Sequence, residues 1–587
     1  MIEFTEEQQN YIQSEINRHV FLEACPGSGK TEIVAAKVAK EVSSWTKFPG
    51  GMAVLSFANS ATDELKDRVR KYLPAGSSLF PHFLGTFDSF IYKNIVNPLS
   101  SQLTGYKGKN GDYSIKIVDN ASNFFGFKTK YKIARQGHIY AHQFSINQKD
   151  SSLKFKTGNT AVDHILDSHP FEDWQIRDLL DAKSNMWSSG FATYGDIEYL
   201  AIDAMTDRTY TTYVQQLSQR YPLIIVDECQ DLCFEQLVIL QKLSDAGVKL
   251  HFIGDLHQAI YGFRDVDPQA VKKFVVDNNF LNLELTRNFR SCQKIINLCG
   301  KLIGRSNIIG QVTQLEPVCY IAQYNNCPTE LTTVFQELCE GYNNTVIVSR
   351  GHSLLRKFNT LADNLKPIHK LALAVKLFDD DDMEALERSI TLFSEFLRHY
   401  IRESVKPNSF NCPQSIESNL VWRKFLFSSI IYLKNNKLDD MDINWSTWVN
   451  RAKTSIRTLS TQKFINDEVQ SLLTLFNTGN LSAPKGQAKQ VVKTSLGNTT
   501  DSGSIHRKTT IHGAKGETHD ITILLSTPDG RGSSDSHWRN WLSNPSSEAA
   551  RFAYVASSRP KYRLIWAVKN LKAADKKIFT DMGFHIL

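Results

Sequence analysis

The sequence has no C-x-x-C pair: its nine cysteines are scattered, and Cys229 and Cys233, four apart, have no companion pair at a zinc-ligand spacing. Such usage argues against a metal ribbon and predicts reduced thiols in a cytoplasmic protein. No apolar run comes near the ~18 residues that cross a bilayer, so no membrane is expected among its partners. The first residues, Met1-Ile2-Glu3-Phe4-Thr5-Glu6-Glu7, are acidic and lack the basic and apolar regions of a secretory signal. Dominance of one charge is missing too, with 68 Lys and Arg against 61 Asp and Glu, a net of +7. No internal repeat of fixed period runs through the chain.

What is present is size. At 587 residues the chain exceeds the ~250–300 residues at which a single core stops growing, so at least two folding units with inserted subdomains are expected. Hydrophobic residues at 41% and charged residues at 22% are ordinary globular values. Short apolar segments alternate with helical periodicities, which predicts an α/β protein with parallel sheets. The clearest strands are Val20–Ala24, Met52–Phe57, Leu223–Asp227 and Leu250–Gly254, then Val318–Ala322, Thr345–Val348, Ile521–Leu525 and Leu564–Val568. Two stretches break that rhythm. Residues 93–190 are basic, aromatic and mixed in pattern, and within them residues 101–160 hold ten Lys and Arg against three Asp and Glu. That suits a phosphate backbone, and equally an ordinary solvated face. Residues 370–505 read as mostly helical and close on a Ser/Thr/Lys/Gly-rich loop, Leu481–Ser504.

The run Ala24-Cys25-Pro26-Gly27-Ser28-Gly29-Lys30-Thr31 follows a predicted strand and precedes a helical pattern. This is the context of a P-loop, in which glycines let backbone N–H groups turn toward phosphate oxygens at a helix N-terminus. Lys30 would reach the β- and γ-phosphates of ATP and the Thr31 hydroxyl would ligate Mg2+. The bland alternative is a Gly-rich turn with an incidental lysine. A second strand ends in Asp227-Glu228-Cys229-Gln230-Asp231, placing two carboxylates at the ligand-binding edge of a parallel sheet. Asp227 would hold Mg2+, directly or through water, and Glu228 would orient or deprotonate the attacking water. Taken alone, a capped turn after a core strand explains them equally well.

With these residues in view, the chain resembles the UvrD/Rep/PcrA helicases of superfamily 1. Asp-Glu-x-Gln-Asp at 227–231 looks like their Walker B motif, and Phe4-Thr5-Glu6-Glu7-Gln8 resembles their adenine-reading Q motif. Further resemblances follow in the family's order: Leu55-Ser56-Phe57-Ala58-Asn59-Ser60-Ala61 (motif Ia), Gly85-Thr86-Phe87-Asp88-Ser89-Phe90 (Ib) and Gly254–Arg264 (III). Then come Leu285–Ser291 (IV), Thr510-Ile511-His512-Gly513-Ala514-Lys515-Gly516 (V) and Arg551–Arg559 (VI).

The resemblance implies two RecA-like domains, each with an inserted, mainly helical subdomain: 1A at 1–92 and 191–280 around 1B at 93–190, and 2A at 281–369 and 506–587 around 2B at 370–505. It implies ATP hydrolysis between the domains and 3′→5′ movement on single-stranded DNA or from DNA ends. Gln258 would sense the γ-phosphate, and Arg290 and Arg559 would reach in from the second domain. Nucleotide contacts are expected from Gln8, the loop Ala24–Thr31, Phe289 and Glu517. Gln8 also fits a helix capping box. DNA contacts are expected from Phe57, Asn59, Thr86, Phe87, Phe263 and His512; Phe57 and Phe263 either stack on bases or are core residues after strands.

Three departures stand out. Glu32 occupies the position after the P-loop where the family carries arginine, Asp88 replaces a histidine of motif Ib, and motif V runs Lys515-Gly516-Glu517-Thr518-His519-Asp520. The chain ends soon after motif VI, so no C-terminal nuclease domain is expected. Its size and motif V resemble the helicase-like subunits of two-gene phage-defence systems such as Gabija, which implies an OLD-family nuclease as partner. The competing reading is a nucleotide- and DNA-binding regulatory subunit that gates such a nuclease without processive unwinding.

Overall fold

The computed structural model describes residues 3–120, 126–133, 137–148, 150–262, 266–315, 318–358, 365–401, 404–406, 410–474, 479, 481–496, 506–528 and 535–587. The chain divides into two compact units, Met1–His352 with Lys508–Leu587, and Ser353–Arg507.

The first unit holds two six-stranded sheets. One comprises β1 (Val20–Ala24), β2 (Met52–Ser56), β3 (Phe83–Thr86), β4 (Leu223–Asp227), β5 (Lys249–Gly254) and β6 (Leu281–Leu285), in the order β6-β1-β5-β4-β2-β3. All of its ladders are parallel. Because side chains alternate along a strand, the central strands bury one set of residues on each face. Phe21, Ala53, Leu55, Ile224, Val226 and Phe252 pack on one side with the helices Tyr194–Thr206 and Phe234–Asp245. Leu22, Val54, Ile225 and Ile253 pack on the other with the helices Lys30–Ser43 and Asn59–Tyr72. Burial on both faces explains the near-continuous apolar runs of these strands.

The other sheet comprises β7 (Cys319–Tyr324), β8 (Thr345–Ser349), β9 (Arg507–Thr510), β10 (His519–Leu525), β11 (Pro560–Lys569) and β12 (His585–Ile586), in the order β9-β8-β10-β11-β7-β12. The ladders joining β8, β10, β11, β7 and β12 are parallel. Ile321, Val346, Val348, Leu524, Leu564 and Trp566 pack against the helices Gln293–Ile303, Glu548–Ser557 and Ala573–Met582. The fold is thus α/β with two parallel, RecA-like sheets, and parallel strands bring their C-terminal ends to a common edge where loops can converge.

Residues 93–190 are helical only in part. Thr160–Asp167 and Asp173–Ser188 are helices, whereas Phe144–Ile146 and Leu153–Phe155 form an antiparallel pair. Fully buried Lys183 ties this segment down, its Nζ lying 2.9 Å from Asp196 Oδ1 and donating to the carbonyls of Ala141 and Phe144. The second unit is helical, with Pro367–Leu377, Met383–Tyr400, Asn419–Asn435 and Trp445–Leu459 around a core that includes Trp422, Trp445 and Trp448. Among the described residues, no helix is long and apolar enough to cross a membrane.

Trp566, buried among Trp541, Phe579 and Phe584, is the test of the second sheet's core. Trp566→Ala is expected to cost ~3–5 kcal/mol, read as a lower denaturant midpoint for the transition of that unit.

Candidate functional site

β1 ends at Ala24, and the loop that follows turns directly into the helix Lys30–Ser43. Gly27 (φ 66°) and Gly29 (φ 81°) take left-handed conformations that a side chain would strain. The loop is clamped from two directions. On one side, Phe289 N donates to Gly27 O at 2.9 Å and Asn288 Nδ2 donates to Pro26 O. A Cβ on Gly27 would come within 2.7 Å of Arg290 Cβ, so the strand Arg287–Cys292 lies hard against the loop. On the other, Gln8 Nε2 donates to Ser28 O at 3.0 Å, while Gln8 Oε1 accepts from Thr5 N in a capping box.

Lys30, Thr31, Asp227, Glu228, Gln258, Arg290 and Arg559 all line one cavity of about 380 Å³, together with Pro26, Gly27, Ser28 and Gly29. Lys30 Nζ lies 3.8 Å from Glu228 Oε1. Glu228 itself sits at φ 57°, a turn that aims its carboxylate back across the strand end, where it accepts a hydrogen bond from Gln230 Nε2. Burial pushes its carboxyl up, but Lys30, Lys515, the Gln230 hydrogen bond and Arg559 together hold it well below the usual range. Neighbouring Asp227 is pushed the other way, raised by burial and then by the charge of Glu228. The two carboxyls therefore hold protons very differently.

From the second sheet come the cations. Arg559 follows the helix Glu548–Ser557 and precedes β11. Its Nη2 donates to Gln258 Oε1 at 2.9 Å, and Gln258 Nε2 donates to Asp255 Oδ2 at 2.8 Å. Tyr554 Oη donates to the same Asp255 oxygen at 3.0 Å. Arg290 Nη1 donates to Ser558 O at 3.2 Å. Burial and nearby Arg559 push the Arg290 guanidinium down to about 9. Crowded buried cations of this kind are relieved by a polyanion.

Other expected nucleotide residues lie elsewhere. Ala24 and Cys25 are buried beneath the loop, and burial pushes the Cys25 thiol up to about 12. Phe289 is 45% exposed beside the loop, with the Arg287 guanidinium 5.5 Å from its ring, and is not among the cavity walls. Glu517 is also off the walls: Gly516 and Thr518 face the cavity, while the Glu517 carboxylate lies 2.9 Å from His519 Nε2. Arg68 is a cavity residue that no motif announced. It pairs with Glu32, which also accepts from Tyr72 Oη at 2.5 Å, and with Glu64 at 2.7 Å. A Glu–Arg pair one helical turn apart, at 64 and 68, was the signal available in the sequence.

Of the expected DNA residues, Phe57 and Asn59 stand at the C-terminal end of β2 and Thr86 at that of β3. Thr86 caps the next helix, its hydroxyl accepting from Ser89 N at 3.2 Å. Phe87 is 1% exposed and its ring is stacked on that of Phe57, with centroids 6.4 Å apart. His512 is half-buried, with Nε2 2.9 Å from Ile260 O and the Tyr261 ring 5.4 Å away. Phe263 lies outside the described residues.

The arrangement can bind a triphosphate on loop amides and three cations and can present two carboxyls to it, chemistry that suits phosphoryl transfer. Comparison with known proteins agrees. Residues 4–279 match the UvrD/REP helicase N-terminal domain. DNA helicase II of Haemophilus influenzae is 22% identical over 316 residues, covering 51% of this chain and 40% of that protein. The ATP-dependent DNA helicase srs2 of Schizosaccharomyces pombe is 23% identical over 417 residues, covering 66% of this chain and 46% of that protein. The ATP-dependent DNA helicase Rep of Buchnera aphidicola is 24% identical over 307 residues, covering 51% and 44%. The chain spans under half the length of these relatives. Residues 4–279 are thus similar to the N-terminal domain of UvrD/REP helicases, and the matches to these relatives reach over half to two thirds of the chain.

Proposed function

We propose that the chain is an ATP-driven motor that moves 3′→5′ on single-stranded DNA. One observation carries this reading: Lys30, Asp227 and Glu228 from the first sheet and Arg290 and Arg559 from the second share a single cavity. A site assembled from two sheets is complete only while both are held together, so hydrolysis and relative movement are coupled.

In this reading the loop amides and Lys30 hold the β- and γ-phosphates, and Arg290 and Arg559 stabilise charge on the transferred phosphoryl group. Glu228, held ionised, accepts a hydrogen bond from the attacking water and orients it. The Thr31 hydroxyl and the Asp227 carboxylate, hard oxygen donors on one wall, fit Mg2+, which would neutralise phosphate charge when bound. Gln258 relays the state of the phosphates through its bond to Arg559. Toward the DNA, Lys515 Nζ lies 2.5 Å from Asp231 Oδ2 and 4.7 Å from the Tyr261 ring, joining motif V to the strand end that carries Glu228. Phe57 and Tyr261 offer faces for base stacking. Arg68, neutralised by two carboxylates, serves the nucleoside end of ATP in place of the arginine absent at position 32. The stretch from Lys515 to Asp520 supports a narrower reading, in which the motor works with an OLD-family nuclease against phage in the cytoplasm; an adjacent nuclease gene is its test.

ATP turnover is expected to rise at least about tenfold with single-stranded DNA and to fall ~10²–10³-fold in Glu228→Gln or Arg559→Ala. Equal turnover with and without DNA would overturn the motor. Forked-duplex unwinding separates it from a regulatory subunit that binds DNA and gates a partner.

Because the Asp227 carboxyl is raised, Mg2+ has to displace its proton, so apparent Mg2+ affinity is expected to rise with pH until the carboxyl is ionised and then level off. Titration of Mg2+ between about pH 6 and about pH 8 checks this, and Asp227→Asn should flatten the profile.

Arg68→Ala is expected to raise KM for ATP by about tenfold with kcat nearly unchanged, the pattern of a lost ground-state contact. Steady-state kinetics at saturating DNA decide it.

A further inference from the structure

Four neighbouring strands, β5, β4, β2 and β3, send their C-terminal ends toward the nucleotide and DNA side. The loops that precede those same strands form the opposite edge, and that edge has an unusual surface. Phe48 is 67% exposed and Phe80 is 81% exposed, on loops leading into β2 and β3. Lone exposed phenylalanines are ordinary, but here the two loops that carry them meet at Gly51 and Pro81, so exposed apolar surface from both comes to the same edge.

The patch is rigid. Trp45 Nε1 donates to Gly50 O at 2.8 Å, Gly51 N donates to Arg220 O at 2.8 Å, and Met52 N donates to His82 Nδ1 at 3.0 Å. Trp45 meets the His82 ring edge-on at 5.0 Å. The loops are so close that a Cβ on Gly51 would lie 2.3 Å from Pro81 O, and one on Gly50 2.3 Å from Gln219 O. The backbone that carries both rings is therefore held in place, which leaves little backbone entropy to lose on binding.

The charge on these neighbouring segments has one sign. Residues 42–51, 73–82, 211–224 and 246–250 contain no Asp or Glu. Half-buried Lys47, Arg220 and Lys249 lie in them, and none of the three is in an ion pair among the described residues. Their fields are felt locally: after burial, Lys249 is what lowers Lys47, and Arg220 is what helps push His82 down to about 4.

The geometry points to a docking site for an acidic segment of a partner protein that carries large apolar side chains. The phenylalanines are its anchors and the three cations frame them, the layout of a protein hot spot with a charged rim. Three cations neutralise too few phosphates to hold a nucleic acid against salt. Since the patch is on the edge away from the cavity, a partner docks there without covering ATP or DNA. The inference does not depend on the motor reading.

The test selects displayed ~16-residue random peptides on the full chain, with the Phe48→Ser, Phe80→Ser double variant as counter-selection. Selected peptides are expected to be rich in Asp and Glu with Leu, Phe or Trp. A synthetic consensus peptide should bind at least about tenfold more weakly to the double variant and to Lys47→Glu, Lys249→Glu. DNA-stimulated ATP turnover, where the chain has it, should be unchanged in both, since neither touches the cavity, and unaltered thermal unfolding shows that both fold. Recovery of no discriminating peptides, or of basic ones, overturns the proposal. So does loss in the double variant of binding to an oligo(dT) probe or to anionic phosphatidylserine vesicles in place of the peptide.

Discussion

Two guanidinium groups buried near each other set the terms for the rest of the structure. Arg290 and Arg559 both lose hydration, and the charge of Arg559 adds to the cost of charging Arg290. Such a pair persists only where polar groups hold it, and here the holders are specific: Val555 O and Gln258 Oε1 for Arg559, Ser558 O for Arg290. Gln258 follows β5 and Arg559 precedes β11, so the bond between them runs from one sheet to the other. The cavity that both arginines line is complete only while the two sheets are held together.

Further bonds along the segment 255–262 carry the same coupling outward. Arg551 Nε donates to Ala259 O at 2.6 Å, Gly262 N donates to Glu548 Oε1 at 2.9 Å, and His512 Nε2 meets Ile260 O at 2.9 Å. The segment that carries Gln258 is thus held along its length by the other sheet's helices and loops. Displacement of either sheet has to break or shift these bonds together, which gives the coupling a physical carrier.

Glu32 shows how a departure from a motif is absorbed. A carboxylate beside a phosphate site is unfavourable by simple Coulomb repulsion. Arg68 and Tyr72, from the helix after β2, take up that charge and return a guanidinium to the cavity wall. Position 32 read alone signals a lost cation, whereas the folded chain moves the cation to a different helix.

The strands divide along a physical line. The eight with strong apolar runs, β1, β2, β4, β5, β7, β8, β10 and β11, are the interior strands of the two sheets, and their runs are what burial on both faces requires. β3, β6, β9 and β12 were not legible, and they are the four edges. Sequences such as Leu281-Asn282-Leu283-Glu284-Leu285 and Arg507-Lys508-Thr509-Thr510 are half solvated and carry no such run. By itself, then, the sequence determined what is local or periodic: the glycine conformations of the phosphate loop, the carboxylates at a strand end and the central strands. Tertiary structure decided what depends on meeting across distance. It placed Arg290 and Arg559 in one cavity with Lys30, turned Glu517 toward His519, buried Phe87 beneath Phe57 and recruited Arg68. Contacts between residues hundreds of positions apart leave no trace in local spacing, because chain folding alone sets which helix faces which loop.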